Sequence, residues 1–212
     1  LAGSIGSTTR RPHVWKPASD VASARTLLLL HGTGADERDL LSLGKSLDPE
    51  ANLLSPRGLV VADGMNRFFL RYEDGRFDEA GIRNNAHELA EFIAAAAFEY
   101  GFDESNVWAV GFSNGANAAG SLLLLHPEAL AGIVAFGTTK SFVEPPKPIP
   151  NLTGKRVFIA NGKQDGYSPA DKTDAMVKEF RQYGATVELM LHSGGHSISH
   201  EHLKTISAAL AK

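Results

Sequence analysis

Cysteine is missing from the chain altogether. That excludes disulfides, thiolate metal sites and a cysteine nucleophile, and it fits a reducing, cytoplasmic setting. Long apolar runs are missing too. The longest, at 27–30, 122–125 and 130–136, fall far short of the roughly 20 residues that span a bilayer. A charge excess of one sign is also absent: the formal net charge is −3. Arg10 and Arg11 form the only notable basic pair near an end, too little for a nucleic-acid-binding patch. The opening LAGSIGSTTRRP carries too short an apolar run for a signal peptide. Residues 1–11 are therefore expected to be a flexible tail, and 12–212 a single domain.

What is present is an average globular composition, 43% hydrophobic and 21% charged over 212 residues, enough for one sizeable core. Short apolar runs alternate with longer helical patterns, the signature of a mostly parallel sheet covered by helices. Thr26–Leu30 reads as a strand buried on both faces. So do 51–55, 107–110, 132–136, 157–160 and 187–191, with 13–16 as an edge strand. Helical spacing runs over 79–100, 170–183 and 201–211. The stretch 145–150, rich in proline, is a loop.

The decisive segment is VWAVGFSNGAN, from Val107 to Asn117. A strand pattern ends in G-x-S-x-G and a small-residue helix follows at once, which is the pattern of a nucleophile elbow. Gly111 and Gly115 relieve a crowded turn, and Ser113 falls at a helix N-terminus that favours developing negative charge. A second segment, LLLLHGTG, ends a buried strand in H-G-x-G, the loop that supplies one donor of an oxyanion hole. The backbone amide of Asn114 is the expected second donor.

The acid and the base should follow in chain order. Asp165 lies in the loop after the strand at 157–160, and His196 in the loop after the strand at 187–191. Each leaves the carboxyl end of a successive parallel strand, where α/β sheets gather their sites. His196 can take the Ser113 proton and return it to the leaving group, while Asp165 holds the imidazole. His192 competes as base, but His196 follows two glycines and lies clear of the strand. Asp171 and Asp174 compete as acid, yet both fall inside the expected helix.

Other motifs are set aside. Gly44-Lys45-Ser46 resembles the end of a phosphate-binding loop, but Asp39 stands where that motif needs glycine. His87-Glu88 begins a zinc-protease pattern that Glu91 breaks. His196, His200 and His202 give no metal-ligand logic beside an expected triad. No metal and no cofactor are expected.

These residues resemble a known family. LLLLHGTGADERDLLSLG, LSPRG, GMNRFF and GFSNGAN together are similar to the phospholipase/carboxylesterase family of α/β hydrolases. That group includes acyl-protein thioesterases and dienelactone-hydrolase-like enzymes, and the chain looks most like the small bacterial carboxylesterases within it. The resemblance implies a compact α/β-hydrolase fold without a large lid. It implies Ser113, Asp165 and His196 as the triad, with the Thr33 and Asn114 amides as oxyanion donors. Dienelactone hydrolases use a cysteine nucleophile where this chain has Ser113. Acyl-protein thioesterases commonly carry Gln where it has Asn114.

The expected activity is hydrolysis of small or short-chain carboxylic esters or thioesters through an acyl-enzyme. Longer acyl chains, as in a lysophospholipase, and a non-catalytic ligand-binding relative of the fold are the alternatives. The partner is a small-molecule ester, with no nucleic acid and no membrane span; a homodimer stays open. For the pocket, Phe68, Phe69, Arg71 and Tyr167 are the candidates, with core packing an equal reading for the two phenylalanines.

Overall fold

A computed structural model describes residues 10–212; most of the expected tail, 1–9, lies outside the described residues. Seven strands form one sheet: β1 (His13–Lys16), β2 (Thr26–Leu30), β3 (Asn52–Pro56), β6 (Val107–Phe112), β7 (Gly132–Phe136), β8 (Arg156–Gly162) and β9 (Thr186–His192). A separate hairpin pairs β4 (Val60–Ala62) with β5 (Met65–Arg67). The sheet order is β1-β3-β2-β6-β7-β8-β9. Only β1 runs antiparallel to its neighbour, so the sheet is mostly parallel, as the alternation of short and long patterns requires.

Because side chains alternate along a strand, each central strand feeds two cores. Leu28 and Leu30 face one side with Ala109, Ile133 and Ile159; there they meet α2 (Glu79–Tyr100), α3 (Asn114–Leu125) and α4 (Ala170–Gln182). Leu27 and Leu29 face the other with Val110, Val134 and Phe158, under α1 (Leu41–Leu47) and α5 (His200–Leu210). Every side chain of β2 is fully enclosed, and each leucine so buried contributes about 1.5–3 kcal/mol. The tetraleucine is thus a strand wanted on both faces.

The helix boundaries follow local chemistry. Asp78 caps α2, its carboxylate accepting the Gly81 N–H at 3.1 Å, and Gly101 ends it in the left-handed conformation. Ser199 caps α5, accepting from the His202 N–H. The helix α1 and the β4–β5 hairpin were not expected. Both are short, and α1 contains Gly44, a poor helix former, pressed against Leu29 and Leu53. Among the described residues no helix is long and apolar enough to cross a membrane.

One end of the expected tail needs correcting. Arg11 is buried, its guanidinium over the Phe92 ring and donating to the Arg57 carbonyl. Burial lowers its pKa to about 10, which still leaves it charged near neutrality. The ordered fold therefore begins before residue 12.

The tightest approach in the molecule is that of α3 to β2. A Cβ on Gly115 would lie 1.8 Å from the Leu30 carbonyl oxygen and 2.5 Å from that of His31. Both obstacles are backbone, so no rotamer change relieves them. Gly115→Ala is expected to lower unfolding free energy by about 3 kcal/mol or more. A urea titration checks this, and an unchanged midpoint would contradict the approach.

Candidate active site

Ser113 is the single residue between the end of β6 and the start of α3. Its φ of 55° and ψ of −116° form the sharp strand-to-helix turn that G-x-S-x-G implies. A serine held there costs on the order of 1–3 kcal/mol, so the surroundings must impose it. They do so by close contact: a Cβ on Gly111 would fall 2.3 Å from the Gly115 carbonyl oxygen. The Ser113 N–H also donates to the Phe136 carbonyl at 2.9 Å, tying the turn to β7.

The loops after β8 and β9 bring the other two groups to the hydroxyl. His196 Nε2 lies 2.8 Å from Ser113 Oγ, and His196 Nδ1 lies 2.6 Å from Asp165 Oδ2. The Asp165 side chain is fully shielded from solvent, and its Oδ1 accepts the Tyr167 N–H at 2.9 Å. A hydroxyl, an imidazole and a buried carboxylate in this chain can move a proton from oxygen to nitrogen while stabilising the imidazolium. The competitors stand elsewhere. Asp171 and Asp174 are exposed on α4. His192 ends β9, its Nδ1 accepting the Gly194 N–H and its Nε2 meeting the Ser197 carbonyl, both at 3.0 Å. It braces the loop that carries His196.

Thr33 and Asn114 border the same cleft as Ser113. Among the described residues neither backbone N–H is engaged in a hydrogen bond. The loop that carries Thr33 is held by His31, which is buried. His31 Nε2 accepts the Gly58 N–H at 2.9 Å, so its Nδ1 bears the proton and donates to the Gly32 carbonyl at 2.7 Å. Burial pushes the His31 pKa below its ordinary value, against the weaker pull of the Gly32 carbonyl and of Asp39, Asp36 and Glu37. The neutral ring is the one that fits both bonds.

The side chain of Asn114 has a task of its own. Its Oδ1 accepts the Phe68 N–H at 2.7 Å and its Nδ2 donates to the Phe69 carbonyl at 3.0 Å. The elbow and the segment after β5 are thereby clamped together. The sequence pointed only to the Asn114 backbone and to the glycines beside His31; which side chains would hold these segments depended on folding. A second buried network was equally invisible: Asn161 donates to the Thr138 carbonyl and to Thr173 Oγ1, fixing the loop after β7.

The cleft over Ser113 measures about 380 Å³ and is walled in part by Arg67, Arg71, Phe77 and Tyr167. Arg71 and Tyr167 border this cleft, the tyrosine ring 4.9 Å from that of His196. Phe68 and Phe69 do not. Both are buried in the core on the α2–α3 side, because the Asn114 clamp turns this segment inward. Arg67 and Phe77 take up the wall instead. Their neighbours in sequence flagged the segment, but not which residues would face out.

Comparison with known proteins bears on the family and the fold. The family model described as Phospholipase/Carboxylesterase matches residues 13–212. The hydrolase MhqD of Bacillus subtilis (strain 168) is 40% identical over 182 residues, 84% of this chain and 88% of that protein. The Bacillus cereus carboxylesterase structure superposes with a TM-score of 0.91 at 37% identity, covering 95% of this chain and 94% of that one. A carboxylesterase from Mesorhizobium loti gives 0.83 at 28% identity, over 92% and 90% of the two chains. With a mostly parallel sheet, no large lid and an elbow serine just after the central strand, the chain belongs to the phospholipase/carboxylesterase family and has the α/β-hydrolase fold.

Proposed function

We propose that the protein is a serine carboxylesterase, hydrolysing small or short-chain carboxylic esters or thioesters through an acyl-enzyme. One observation carries this reading: the continuous relay from Ser113 Oγ through His196 to buried Asp165, at 2.8 and 2.6 Å, open to a cleft. Ser113 attacks the ester carbonyl as His196 takes its proton, and the same proton then leaves with the alcohol or thiol. Water repeats the sequence on the acyl-enzyme and releases the acid. The N–H groups of Thr33 and Asn114 receive the developing oxyanion, a role usually worth about 3–4 kcal/mol per donor. Asp165 fixes the imidazole tautomer.

The size of the cleft supports short substrates. At about 380 Å³ and with no large lid over it, the site offers little enclosed apolar surface for a long acyl chain. Kept neutral, His31 holds the Gly32–Thr33 turn and so the oxyanion donor on it. Protonation would set two N–H groups, those of Nε2 and Gly58, against each other.

Fluorophosphonate is expected to label the wild-type protein and not Ser113→Ala, and that substitution should cut kcat/KM on p-nitrophenyl acetate by at least about 10³-fold. Labelling or hydrolysis retained by the variant would remove Ser113 as nucleophile. In a series from p-nitrophenyl acetate to palmitate, kcat/KM should be highest for acetate or butyrate; a maximum at palmitate would favour the long-chain reading. The unfolded chain takes up the His31 proton near its ordinary pKa of about 6.5, while the folded chain resists it. The stability from neutral His31 is thus complete above that value and is lost as pH falls towards the lower folded pKa. Urea midpoints measured from pH 7.5 to 5 should fall less steeply in His31→Gln, which keeps an acceptor but cannot titrate.

A further inference from the structure

Arg25, Arg57, Arg76, Arg83 and Arg156 each reach a carboxylate, on Asp48, Glu37, Asp74, Glu79 and Glu188. Among the described residues Arg11, Arg38 and Arg181 reach no carboxylate and do not line the cleft. Arg67 and Arg71, both on the cleft wall, reach none among the described residues. Nor does the cleft supply one: apart from His196 these two are its only charged lining residues. Asp165 is shielded behind His196 and already accepts from it, and Asp74, beside the Gly75 that Arg71 holds, is paired with Arg76.

Arg67 is half-buried, and its Nε is enclosed with no hydrogen-bond partner. Its main chain is fixed, because the next residue, Phe68, is clamped to Asn114 beside the nucleophile. Arg71 is exposed but held in place. Its Nε donates to the Gly75 carbonyl at 2.9 Å and its guanidinium lies over the Phe77 ring at 4.5 Å. That leaves the terminal nitrogens of Arg71 free for a ligand, on a group already oriented. A guanidinium fork is shaped for a carboxylate, and one with its stem pre-ordered loses less entropy on binding. Two such cations on one wall, with no carboxylate among the cleft's lining residues, make the cleft attractive to anions.

We infer that the substrate is an ester or thioester that itself carries a free carboxylate, held by Arg67 and Arg71 while Ser113 attacks the ester carbonyl. This rests on the serine-esterase reading and narrows its substrate class. Overall, one C–O or C–S bond is broken by one water. A carboxylate in the acyl part yields a dicarboxylate plus alcohol or thiol; one in the alcohol part yields a simple acid plus a hydroxy acid or mercapto acid. The His196 proton leaves with the alcohol or thiol, and the arginines take no part in bond-making.

Two matched pairs test it and separate the two sources of the carboxylate: mono-p-nitrophenyl adipate against p-nitrophenyl hexanoate, and 4-carboxyphenyl acetate against 4-carbamoylphenyl acetate. In at least one pair the charged ester should show kcat/KM about ten-fold or more above its neutral match. That ratio should fall to near one in Arg67→Met/Arg71→Met, or part of the way in Arg71→Met if the double variant folds poorly. Ratios near one in both wild-type pairs, or a ratio unchanged by the substitutions, would overturn the inference. Adipate binding to Ser113→Ala by calorimetry gives a readout free of catalysis, and the arginine substitutions should weaken it at least about ten-fold. Hydrolysis of neutral esters with no charge preference sinks this inference alone. Adipate binding through the arginines without any hydrolysis overturns the serine-esterase reading and the ester substrate with it but leaves the arginine carboxylate site standing, and neither hydrolysis nor binding overturns all three.

Discussion

The close passage of α3 beneath the carboxyl ends of β2 and β6 is what the rest of the site depends on. Where Gly115 meets the Leu30 carbonyl, backbone lies against backbone with no room for a methyl group. That contact lets the helix begin one residue after β6 ends, and so forces Ser113 into a conformation it would not choose. It also brings the amino end of α3 beside the loop after β2, so the Thr33 and Asn114 amides border one cleft. The large apolar area enclosed on both faces of the sheet supplies the stability against which this local strain is set.

Around that contact, side chains of the motif residues act as braces. His31 ties the β2 loop to Gly58, Asn114 ties the elbow to Phe68 and Phe69, and His192 shapes the turn bearing His196. Each is a polar group whose donors and acceptors are used locally, in keeping with the cost of burying them unpaired. On the cleft wall Arg67 departs from that pattern, its enclosed Nε having no hydrogen-bond partner among the described residues.

How much of this was legible in the sequence follows from the range of each signal. The strands of the sheet and the long helices α2, α4 and α5 were readable because period and length agree over many residues. The elbow was readable because its steric demand is local: five residues carry it. The approach of Asp165 and His196 to Ser113 could be inferred only through topology, since a parallel sheet lines up the ends of successive strands. What was not legible depends on side-chain direction in irregular chain. Whether Phe68 or Arg67 faces the cleft is decided by two hydrogen bonds from Asn114, a residue 45 and 46 positions away from the backbone groups it holds. Burial of Arg11 was hidden for the same reason, because Phe92 and the Arg57 carbonyl reach it from distant segments.

The general-base histidine of the proposed relay hangs from β9, and among the described residues β9 is the last strand of the sheet, hydrogen-bonded to β8 on one side alone. Ser113, by contrast, follows β6 at the sheet's middle, with paired strands to either side. Edge strands open locally more readily than central ones, without the rest of the fold unravelling. The machinery is therefore unequally anchored. Gentle warming or mild denaturant should first carry His196 away while Ser113 keeps its place, so that the proposed relay is broken before the molecule loses its shape.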